Sequence, residues 1–562
     1  MNKQGKRILT LGIALAGLTV CGNSFMQGWS PTRGDDKKIP NFMTAGKDTV
    51  TFCGAEKRNW IFFNPQPAAA SRDDKVEIQF TVSGTGKLKI GFFAYVSAWK
   101  SCGSAWKDYE LTAEPKKVVM NFSVPARAGI VRSAITILPG AKAVFHDYQF
   151  RVIKNGNPQL NVSASSDRPD AIYSAGEKAF FTATVRSGSE IVKAGQAFVR
   201  ISCNGKWVEK TQFDLSRENP FKVAVSSREP GFVLAYCDLK GIPGQKDKTG
   251  IQIGGAAFSP EKIRAASASP ADLVSYWKSQ YQKLEEAVPA NVQKTKVKDN
   301  GRFTIYHLTA DYYQGKKIFA TLTVPHGKGP FPMVFTVPPA GNTIFTPSTM
   351  PGMIRLTVSV HHNPDYAKWK AYEADNQGKK GWYFYRNEGT RESFFYYRAI
   401  LGVMRMMDYA MKEVKEWDGK HLAAVGRSQG GGFAFIMTAL NPRIQAVAAD
   451  VPALCDHEAG KLGRKPGWPQ LLNHSSGKKM APHAAYFDAA NFAAVIQCPA
   501  LVTVGFIDTM CVPTSVYAAY NNLKGPKKML NAPEYGHGWG KRSFDFEQES
   551  AKFLKQTFEK QK

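Results

Sequence analysis

The sequence predicts a multidomain protein in which two all-β sandwich domains precede an α/β domain with a mostly parallel sheet. Short strand-like runs separated by Gly, Pro and Ser fill the first half of the chain, and strands alternate with helices in the second half. The 562 residues suffice for several domains, and the 43% of apolar residues argues against wholesale disorder. We expect a signal peptide over 1–24, β-sandwiches over 25–156 and 157–257, and a linker helix with the α/β domain over 258–562.

The N-terminus has the pattern of a secretory signal peptide. MNKQGKR is basic, the 13 residues ILTLGIALAGLTV are apolar, and the small residues Gly22 and Ser24 offer cleavage sites. This apolar run is too short to span a bilayer, and no later segment predicts a transmembrane span. We therefore expect an exported protein that is periplasmic, on the outer surface or secreted. Cys21 leaves a lipoprotein signal open, although Val20 is bulkier than the residue usual before such a cysteine.

Residues 25–156 show the regularly spaced strands of a β-sandwich. Their runs are VEIQFTVSG, KLKIGFFAYV, KKVVMNFSV, SAITILPG and AVFHDYQFRVI. The ending ILPGAKAVFHDYQFRVI resembles the last strands of jelly-roll modules that bind carbohydrate. Trp60, Trp99 and Trp106 either stack on sugar rings or belong to the core, and both alternatives stay open.

Residues 157–257 form a second predicted β domain, about as long as an immunoglobulin-like sandwich. Its strand-like runs are AFFTATVRS, QAFVRISCNG, FKVAVSS and GFVLAYCDLKG. A role as a spacer stays open. Prolines and serines from Pro260 to Pro270 then mark a linker, after which Leu273, Trp277, Tyr281 and Leu284 fall on one face of a predicted helix.

The α/β domain begins near residue 300. Helices are predicted over 394–415, over Gln429 to Leu440, from Val512 and from about Ser543. The predicted strands are FTIYHLTA, KIFATLTV, PMVFTV, IRLTVSV, HLAAVGR, IQAVAADV, PALVTVG and KKMLNAP.

Cysteines and charges limit the partners that we expect. The chain has eight cysteines, and either disulfides or buried thiols fit the pairs Cys53 with Cys102 and Cys203 with Cys237. The sequence has no CxxC pair that would predict a metal site. The adjacent His361 and His362 lie at a predicted strand end, so their side chains should diverge. We therefore expect no metal and no cofactor. We interpret the net charge of +28 first as a solvated surface and second as an affinity for acidic polysaccharide or the cell envelope. The lysines are spread along the chain without a nucleic-acid motif, so nucleic acid is not an expected partner.

Gly426-Arg427-Ser428-Gln429-Gly430 matches G-x-S-x-G directly after a predicted strand and before a predicted helix. In this turn the positions that flank the serine approach each other, and Gly426 and Gly430 avoid their collision. Gly431 and Gly432 let the helix pack close to the sheet. We therefore expect Ser428 to be a nucleophile with an exposed Oγ, in an α/β-hydrolase domain.

A serine nucleophile needs a base, and in this fold the acid and the histidine follow it in the chain. PALVTVGFIDTMCVP is a buried strand ending near Asp508, and His537 lies in the loop after KKMLNAP. We expect His537 to take the proton of Ser428 and Asp508 to orient the imidazole. Asp450 and Asp456 compete for the role of the acid, and we expect them to shape the pocket wall.

Two backbone N–H groups are expected to form an oxyanion hole for the developing negative charge. Gln429 supplies one of them, because it follows the nucleophile. The loop in VFTVPPAGNT supplies the second, with Ala340 and Gly341 as its candidates.

The second half of the chain resembles the acetylxylan esterase and cephalosporin-C deacetylase family, carbohydrate esterase family seven. The resemblance covers about residues 270–560 and is carried by FFYYRAILGVMRMMDYA, GRSQGGGFAFIMTALNPRIQAVAADVPALCD and VGFIDTMCVPTSVYAAYNNLKGPKKMLNAPEYGHG. It implies a serine hydrolase that removes acetyl groups from sugar hydroxyls. It also implies that Ser428, Asp508 and His537 are the triad and that Gln429 with Ala340 lines the oxyanion hole.

Two segments depart from the family pattern. His361-His362-Asn363-Pro364 replaces an Arg-Gly-Gln-Gly motif, and Pro338-Pro339-Ala340-Gly341 replaces a Gly-Tyr-Gly run. Both lie at the pocket rim, so they affect the identity of the substrate. The two added β domains leave the oligomeric state open, because the family's ring-like oligomer would need room for them.

Three functions stay in view. The first is an exported serine esterase that removes O-acetyl groups from a polysaccharide or oligosaccharide by a Ser-His-Asp acyl-enzyme mechanism. The second is a serine hydrolase of the same fold that acts on another ester or a peptide bond. The third is a non-catalytic protein that binds glycan or the envelope through its positive charge.

Overall fold

The computed structural model describes residues 30–31, 43–45, 49–53, 60–63, 68–70, 74–96, 101–125, 128–153, 160–187, 190–341, 349–361, 382–540 and 542–560. Outside these residues lie the predicted signal peptide over 1–24 with Cys21, Trp99, His362 and the side chain of Trp60. The chain divides into two compact units, Met1–Gln159 and Leu160–Lys562. In the described residues, no helix combines the length and the apolar composition needed to cross a membrane.

The first β region (residues 30–153) consists of two antiparallel sheets that share one core. Apolar residues alternate along Lys75–Thr85, so that Val76 and Ile78 are buried, because successive side chains of a strand point to opposite faces. Leu88 of the other sheet belongs to the same hydrophobic cluster. The prediction of a β-rich N-terminal region is thus confirmed, whereas its jelly-roll type stays a prediction. The strands are Ser30–Pro31, Trp60–Phe63, Ala68–Ala69, Lys87–Tyr95, Ser101–Glu110 and Ile130–Ile137 in one sheet, and Met43–Ala45, Val50–Cys53, Lys75–Thr85, Lys116–Ser123 and Lys142–Ile153 in the other.

The second β region (residues 160–258) packs directly on the rest of its unit. Its buried side chains belong to the same hydrophobic cluster as those of the α/β region (residues 259–560). Phe232, for example, meets Phe506 with 5.0 Å between the ring centroids. The region therefore does more than separate two domains. Its strands are Leu160–Ser166, Lys178–Ser187, Glu190–Ile191 and Phe221–Ser226 in one sheet, and Ile172–Tyr173, Gln196–Cys203, Lys206–Asp214, Gly231–Lys240 and Lys248–Phe258 in the other.

The described cysteines are all free thiols. Cys203 is opposite Val233 in the ladder and Cys237 is opposite Val199. Four steps along the strand separate them, or roughly 13 Å, whereas the Cα atoms of a disulfide lie within about 7 Å of each other. Cys53 and Cys102, which lie in different sheets of the first β region, are both free thiols. The disulfide alternative is therefore wrong for both pairs.

One mixed sheet organises the α/β region. Within the described residues it has nine strands in the order β1-β2-β3-β5-β4-β6-β7-β8-β9. The pairs from β1 to β5 are antiparallel and the remaining pairs are parallel. Every residue of β5, β7 and β8 is buried, as expected for strands covered on both faces. The strands are β1 (Gln293–Asp299), β2 (Phe303–Asp311), β3 (Lys317–Pro325), β4 (Phe331–Thr336), β5 (Ile354–Val358), β6 (Trp417–Arg427), β7 (Ala446–Asp450), β8 (Ala500–Gly505) and β9 (Lys527–Ala532).

The helices confirm the predicted alternation. The predicted helix over 394–415 spans Phe395–Glu413, and the helix after the G-x-S-x-G motif has the predicted bounds, Gln429–Leu440. The sequence patterns missed β1 and the short helices between 459 and 493. The α-helices are α1 (Leu273–Ala287), α2 (Phe395–Glu413), α3 (Gln429–Leu440), α4 (Ser475–Lys478), α5 (Ala489–Ala493), α6 (Pro513–Asn522) and α7 (Phe546–Glu559), and the 3₁₀ helices are Pro260–Lys262, Tyr313–Gly315, Tyr383–Tyr385, Ala459–Leu462, Leu471–Asn473 and Ala484–Phe487.

The parallel part of the sheet places three predicted site residues at one edge. Ser428 directly follows β6, Asp508 lies shortly after β8, and His537 lies in the loop after β9. Because these strands are parallel, their carboxyl ends share an edge, where ligands bind in open α/β sheets.

Candidate active site

Ser428 occupies a strained turn between β6 and α3. Its φ of 54° and ψ of −121° lie in a region that residues with a Cβ rarely adopt. The surrounding backbone holds this conformation, because the Ser428 N–H donates to the Asp450 carbonyl at 2.9 Å and the Ser428 carbonyl accepts from Ala453 N–H at 2.9 Å. Strain held in this way by the neighbouring chain is typical of functional residues.

Glycines make this turn possible, as predicted. A Cβ on Gly426 would lie 2.1 Å from the Gly430 carbonyl oxygen, and one on Gly430 would lie 2.0 Å from the Val337 carbonyl oxygen. On Gly432 it would lie 2.4 Å from the Ala453 carbonyl oxygen. Any larger residue at these positions would push α3 away from the sheet and turn Ser428 out of its place.

His537 joins Ser428 to Asp508 in one chain of hydrogen bonds. Its Nε2 lies 2.9 Å from Ser428 Oγ, and its Nδ1 lies 2.7 Å from Asp508 Oδ2. Because Nδ1–H donates to the carboxylate, Nε2 is left to accept the hydroxyl proton. The structure thus brings together the three residues that the sequence placed 109 and 29 positions apart.

Asp508 is held as an acceptor on both oxygens. It is fully buried, and its Oδ1 accepts from Met510 N–H at 2.8 Å and from Cys511 N–H at 3.0 Å. His537 lies in a tight turn closed by a 2.8 Å bond from Gly536 N–H to the Trp539 carbonyl. Both groups are therefore fixed by backbone contacts before any ligand arrives.

The two competing acids have other partners. Buried Asp450 accepts from Arg542 Nη1 at 3.0 Å and from the Thr503 hydroxyl. Asp456 accepts from Arg464 Nη2 at 2.7 Å, and burial raises its pKa to about 6. The structure therefore pairs His537 with Asp508 and uses the other two carboxylates to hold neighbouring loops.

Three hydrogen bonds hold the side-chain amide of Gln429. Its Oε1 accepts from the hydroxyls of Tyr383 at 2.7 Å and Tyr396 at 3.0 Å, and its Nε2 donates to the Pro338 carbonyl at 3.3 Å. The last bond ties the start of the predicted oxyanion loop to the residue after Ser428. Ala340 lies in that loop and is half-buried, and its part in an oxyanion hole stays a prediction.

Sequence reasoning missed the two tyrosines that hold Gln429. Tyr396 lies in α2 and Tyr383 in a short 3₁₀ helix, and both are buried. The ring of His361, at the segment that departs from the family pattern, packs edge-on against Tyr383 with 4.7 Å between the centroids. The signal available in the sequence was the aromatic density of WYFYR and FFYYR, which predicts a core but not its polar contacts.

Asp508, Cys511 and His537 are also the described residues whose ligand atoms come close enough to hold a metal ion, within 4.8 Å of one another. Burial raises the pKa of the Cys511 thiol, whereas a thiol must lose its proton to bind a metal. Asp508 and His537 already bond each other. These residues therefore fit a hydrogen-bonded arrangement of Asp508 and His537 better than a metal site. Cys511 packs beside it, with its Sγ 4.0 Å from Ser428 Oγ.

Known proteins show a consistent likeness to this chain. The acetyl xylan esterase (AXE1) family model matches residues 260–557, more than half of the chain. The acetyl esterase Axe7A of Xylanibacter ruminicola is 30% identical over 326 residues, which cover 55% of this chain and 71% of that protein.

Similar solved structures include an acetyl xylan esterase from Paenibacillus sp. R4, with 22% identity and a TM-score of 0.44. The match covers 53% of this chain and 98% of that chain. Acetyl xylan esterase 1 from Thermoanaerobacterium sp. JW/SL YS485 has 18% identity, a TM-score of 0.42 and the same two coverages. On the match of the family model and the identity to Axe7A, this chain belongs to the acetyl xylan esterase family and is a carboxylic ester hydrolase.

Proposed function

We propose that this protein is an exported serine esterase that removes O-acetyl groups from a polysaccharide or oligosaccharide. The hydrogen-bond chain from Ser428 Oγ through His537 to Asp508, with contacts of 2.9 and 2.7 Å, carries the proposal. Membership of the acetyl xylan esterase family supports the choice of an acetylated carbohydrate. The predicted signal peptide over 1–24 supports export, and a sandwich fold for both β regions belongs to the same proposal.

The reaction begins with attack by Ser428 Oγ on the acetyl carbonyl carbon. His537 Nε2 takes the hydroxyl proton as the new C–O bond forms, and Asp508 stabilises the imidazolium that results. The ester carbonyl oxygen becomes an oxyanion. The backbone N–H of Gln429, at the N-terminus of α3, and a second N–H from the loop of Ala340 would bind it.

Collapse of this intermediate breaks the bond between the acetyl carbon and the sugar oxygen, which takes the proton from His537 and leaves as a hydroxyl, while the acetyl group stays on Ser428. A water molecule then attacks the acetyl-serine while His537 accepts its proton. The bond between the acetyl carbon and Ser428 Oγ then breaks, Oγ takes the proton back from His537, and acetate leaves. One imidazole thus serves as base and acid in each half of the reaction.

Substitution of the nucleophile tests the proposal. We expect Ser428→Ala to lower kcat for nitrophenyl acetate by about 10⁴-fold or more, because the covalent step is lost. Ser275→Ala, which alters an exposed serine of α1, is the matched control and should keep the wild-type rate. Equal rates for wild type and Ser428→Ala would end the proposal.

Two substrate series define the specificity. Acetate released from acetylated xylan, pectin and mucin-type glycans identifies the carbohydrate. Nitrophenyl esters from acetate to octanoate separate an acetyl esterase, whose rate falls with chain length, from a hydrolase of longer acyl groups. Retention on acidic polysaccharide that weakens with salt, without release of acetate from any substrate, would favour the non-catalytic binding protein.

A further inference from the structure

The segment that carries Asp508 rests on the second β region. A Cβ on Gly255 would lie 2.9 Å from both Cβ and the carbonyl oxygen of Phe506, so the two backbones touch with no room for a side chain. Phe232, also in the second β region, packs edge-on against Phe506 with 5.0 Å between the ring centroids. The residue two positions before the catalytic carboxylate is therefore held from the second β region.

The segment is also held after Asp508. Lys465 Nζ donates to the Thr509 carbonyl at 3.1 Å, and the Lys465 N–H donates to the Asn204 carbonyl at 2.9 Å. Asn204 lies in the hairpin turn between two strands of the second β region. Contacts with the second β region thus hold the backbone on both sides of Asp508 in place.

Gln252, on the strand Lys248–Phe258, connects two loops of the site. One is the segment 506–509 that carries Asp508 (the acid segment), and the other is the turn 536–539 that holds His537 (the histidine turn). Gln252 Nε2 donates to the Ile507 carbonyl at 2.9 Å, and its Oε1 accepts from Trp539 Nε1–H at 3.1 Å. Ile507 is the neighbour of Asp508. Trp539 closes the four-residue turn that holds His537.

The two bonds fix the orientation of the Gln252 amide. A reversed amide would place its NH₂ against the Trp539 N–H and its oxygen against the Ile507 carbonyl, so both contacts would become repulsive. Among the described residues, the two loops also share two backbone bonds, one of 3.3 Å from Ile507 N–H to the Tyr535 carbonyl and one of 3.1 Å from Phe506 N–H to the Ala532 carbonyl. Both bonds involve residues that precede Asp508 and His537 in the chain, so neither holds the part of the histidine turn that follows His537.

We propose that Gln252 is a positioning residue, which sets the Asp508 segment and the His537 turn at the spacing that the triad requires. The second β region is then a structural part of the active site. The inference rests on the proposed function, because it concerns how the Ser428 triad is held.

Gln252→Leu removes both hydrogen bonds at nearly constant volume. We expect kcat for nitrophenyl acetate to fall about tenfold or more with KM within about twofold, because small displacements of catalytic groups affect the chemical step. The rate at which a fluorophosphonate labels Ser428 should fall in parallel. Gln212→Leu is the matched control, since Gln212 is an exposed glutamine of the same region that bonds Gln196. If the leucine variant does not fold, Gln252→Asn replaces it in the same measurements, because its side chain is one methylene too short to make both bonds.

A double-mutant cycle tests the route through Trp539. Trp539→Phe removes the indole N–H, so Gln252→Leu should cost less in kcat in that background than in the wild type. Equal costs in both backgrounds would contradict the link to the histidine turn.

The outcomes separate this inference from the proposed function. A wild type that is labelled at Ser428 but releases no acetate from any glycan removes the proposed substrate and leaves the test of Gln252 intact. A kcat and a labelling rate for Gln252→Leu within twofold of those of Gln212→Leu overturn the inference. A lower melting temperature with unchanged kcat at 25 °C also overturns it, because it would mean that Gln252 contributes only to stability.

Discussion

The two β regions have similar sheets but different relations to their surroundings. The first β region buries its apolar strands in a cluster of its own, which includes Val76, Phe80 and Phe92. The second β region buries Phe232 and Phe258 in a cluster that continues through the α/β region to Val504 and Phe506. Local strand patterns are alike in both, so the patterns do not reveal which region belongs to the catalytic unit.

The difference indicates that a domain boundary is set by where the core ends. The second β region shares one compact unit with the α/β region, whereas the first forms a unit by itself. Because a shared core couples unfolding, we expect the second β region and the esterase to lose their structure together. The first β region should unfold independently.

Paired core substitutions should give the largest effects. Phe80→Ala and Phe232→Ala each remove a buried ring, and each should destabilise its unit by about 3–5 kcal/mol. We expect Phe232→Ala to lower the temperature at which esterase activity is lost. Phe80→Ala should lower a separate transition and leave that temperature unchanged. Calorimetry combined with residual activity after heating measures both, and equal effects on activity would show that the two β regions do not differ in this way.

Paired glycine substitutions should give intermediate effects. A Cβ on Gly255 meets Phe506, and one on Gly91 lies 2.0 Å from the Ala105 carbonyl oxygen inside the first β region. Overpacking of this kind costs about 1–3 kcal/mol. We expect Gly255→Ala to lower kcat as well as stability, because it displaces the acid segment. Gly91→Ala should destabilise only the first β region, and a loss of kcat in this variant would contradict that expectation.

Paired ion-pair substitutions should give the smallest effects. Arg200 in the second β region contacts Asp238 with two bonds of 3.1 and 3.2 Å, whereas the more exposed Lys89 of the first region lies 3.2 Å from Asp108. Arg200→Ala should cost about 1 kcal/mol and Lys89→Ala less than about 0.5 kcal/mol. Denaturant titration measures both costs. Neither variant should change kcat, since neither residue contacts the loops of Ser428, Asp508 or His537 in the described structure.

Much of the α/β region could be predicted because its signals are local. The buried strand HLAAV, the glycines around Ser428 and the apolar helix after them lie within 20 residues, so periodicity and turn chemistry identify them. Asp508 and His537 were predicted from their places after strands. Their spatial meeting follows from the parallel pairing of β6 to β9.

The remaining features depend on contacts between distant segments. Gln252 bonds a carbonyl 255 positions away, and nothing in GIQIGG marks it as different from any strand glutamine. The hydroxyls of Tyr383 and Tyr396 likewise find Gln429 only in the folded chain. The proposed cysteine pairs failed for the same reason, since the ladder register that separates Cys203 from Cys237 is not visible in either strand.

The site of fluorophosphonate labelling shows whether Ser428 is the reactive hydroxyl of the protein. We expect the full-length protein to carry a single label, on Ser428, and His537→Ala to slow its attachment greatly, because the hydroxyl then lacks the base 2.9 Å away. A label on another residue, or equal labelling rates for wild type and His537→Ala, would contradict it.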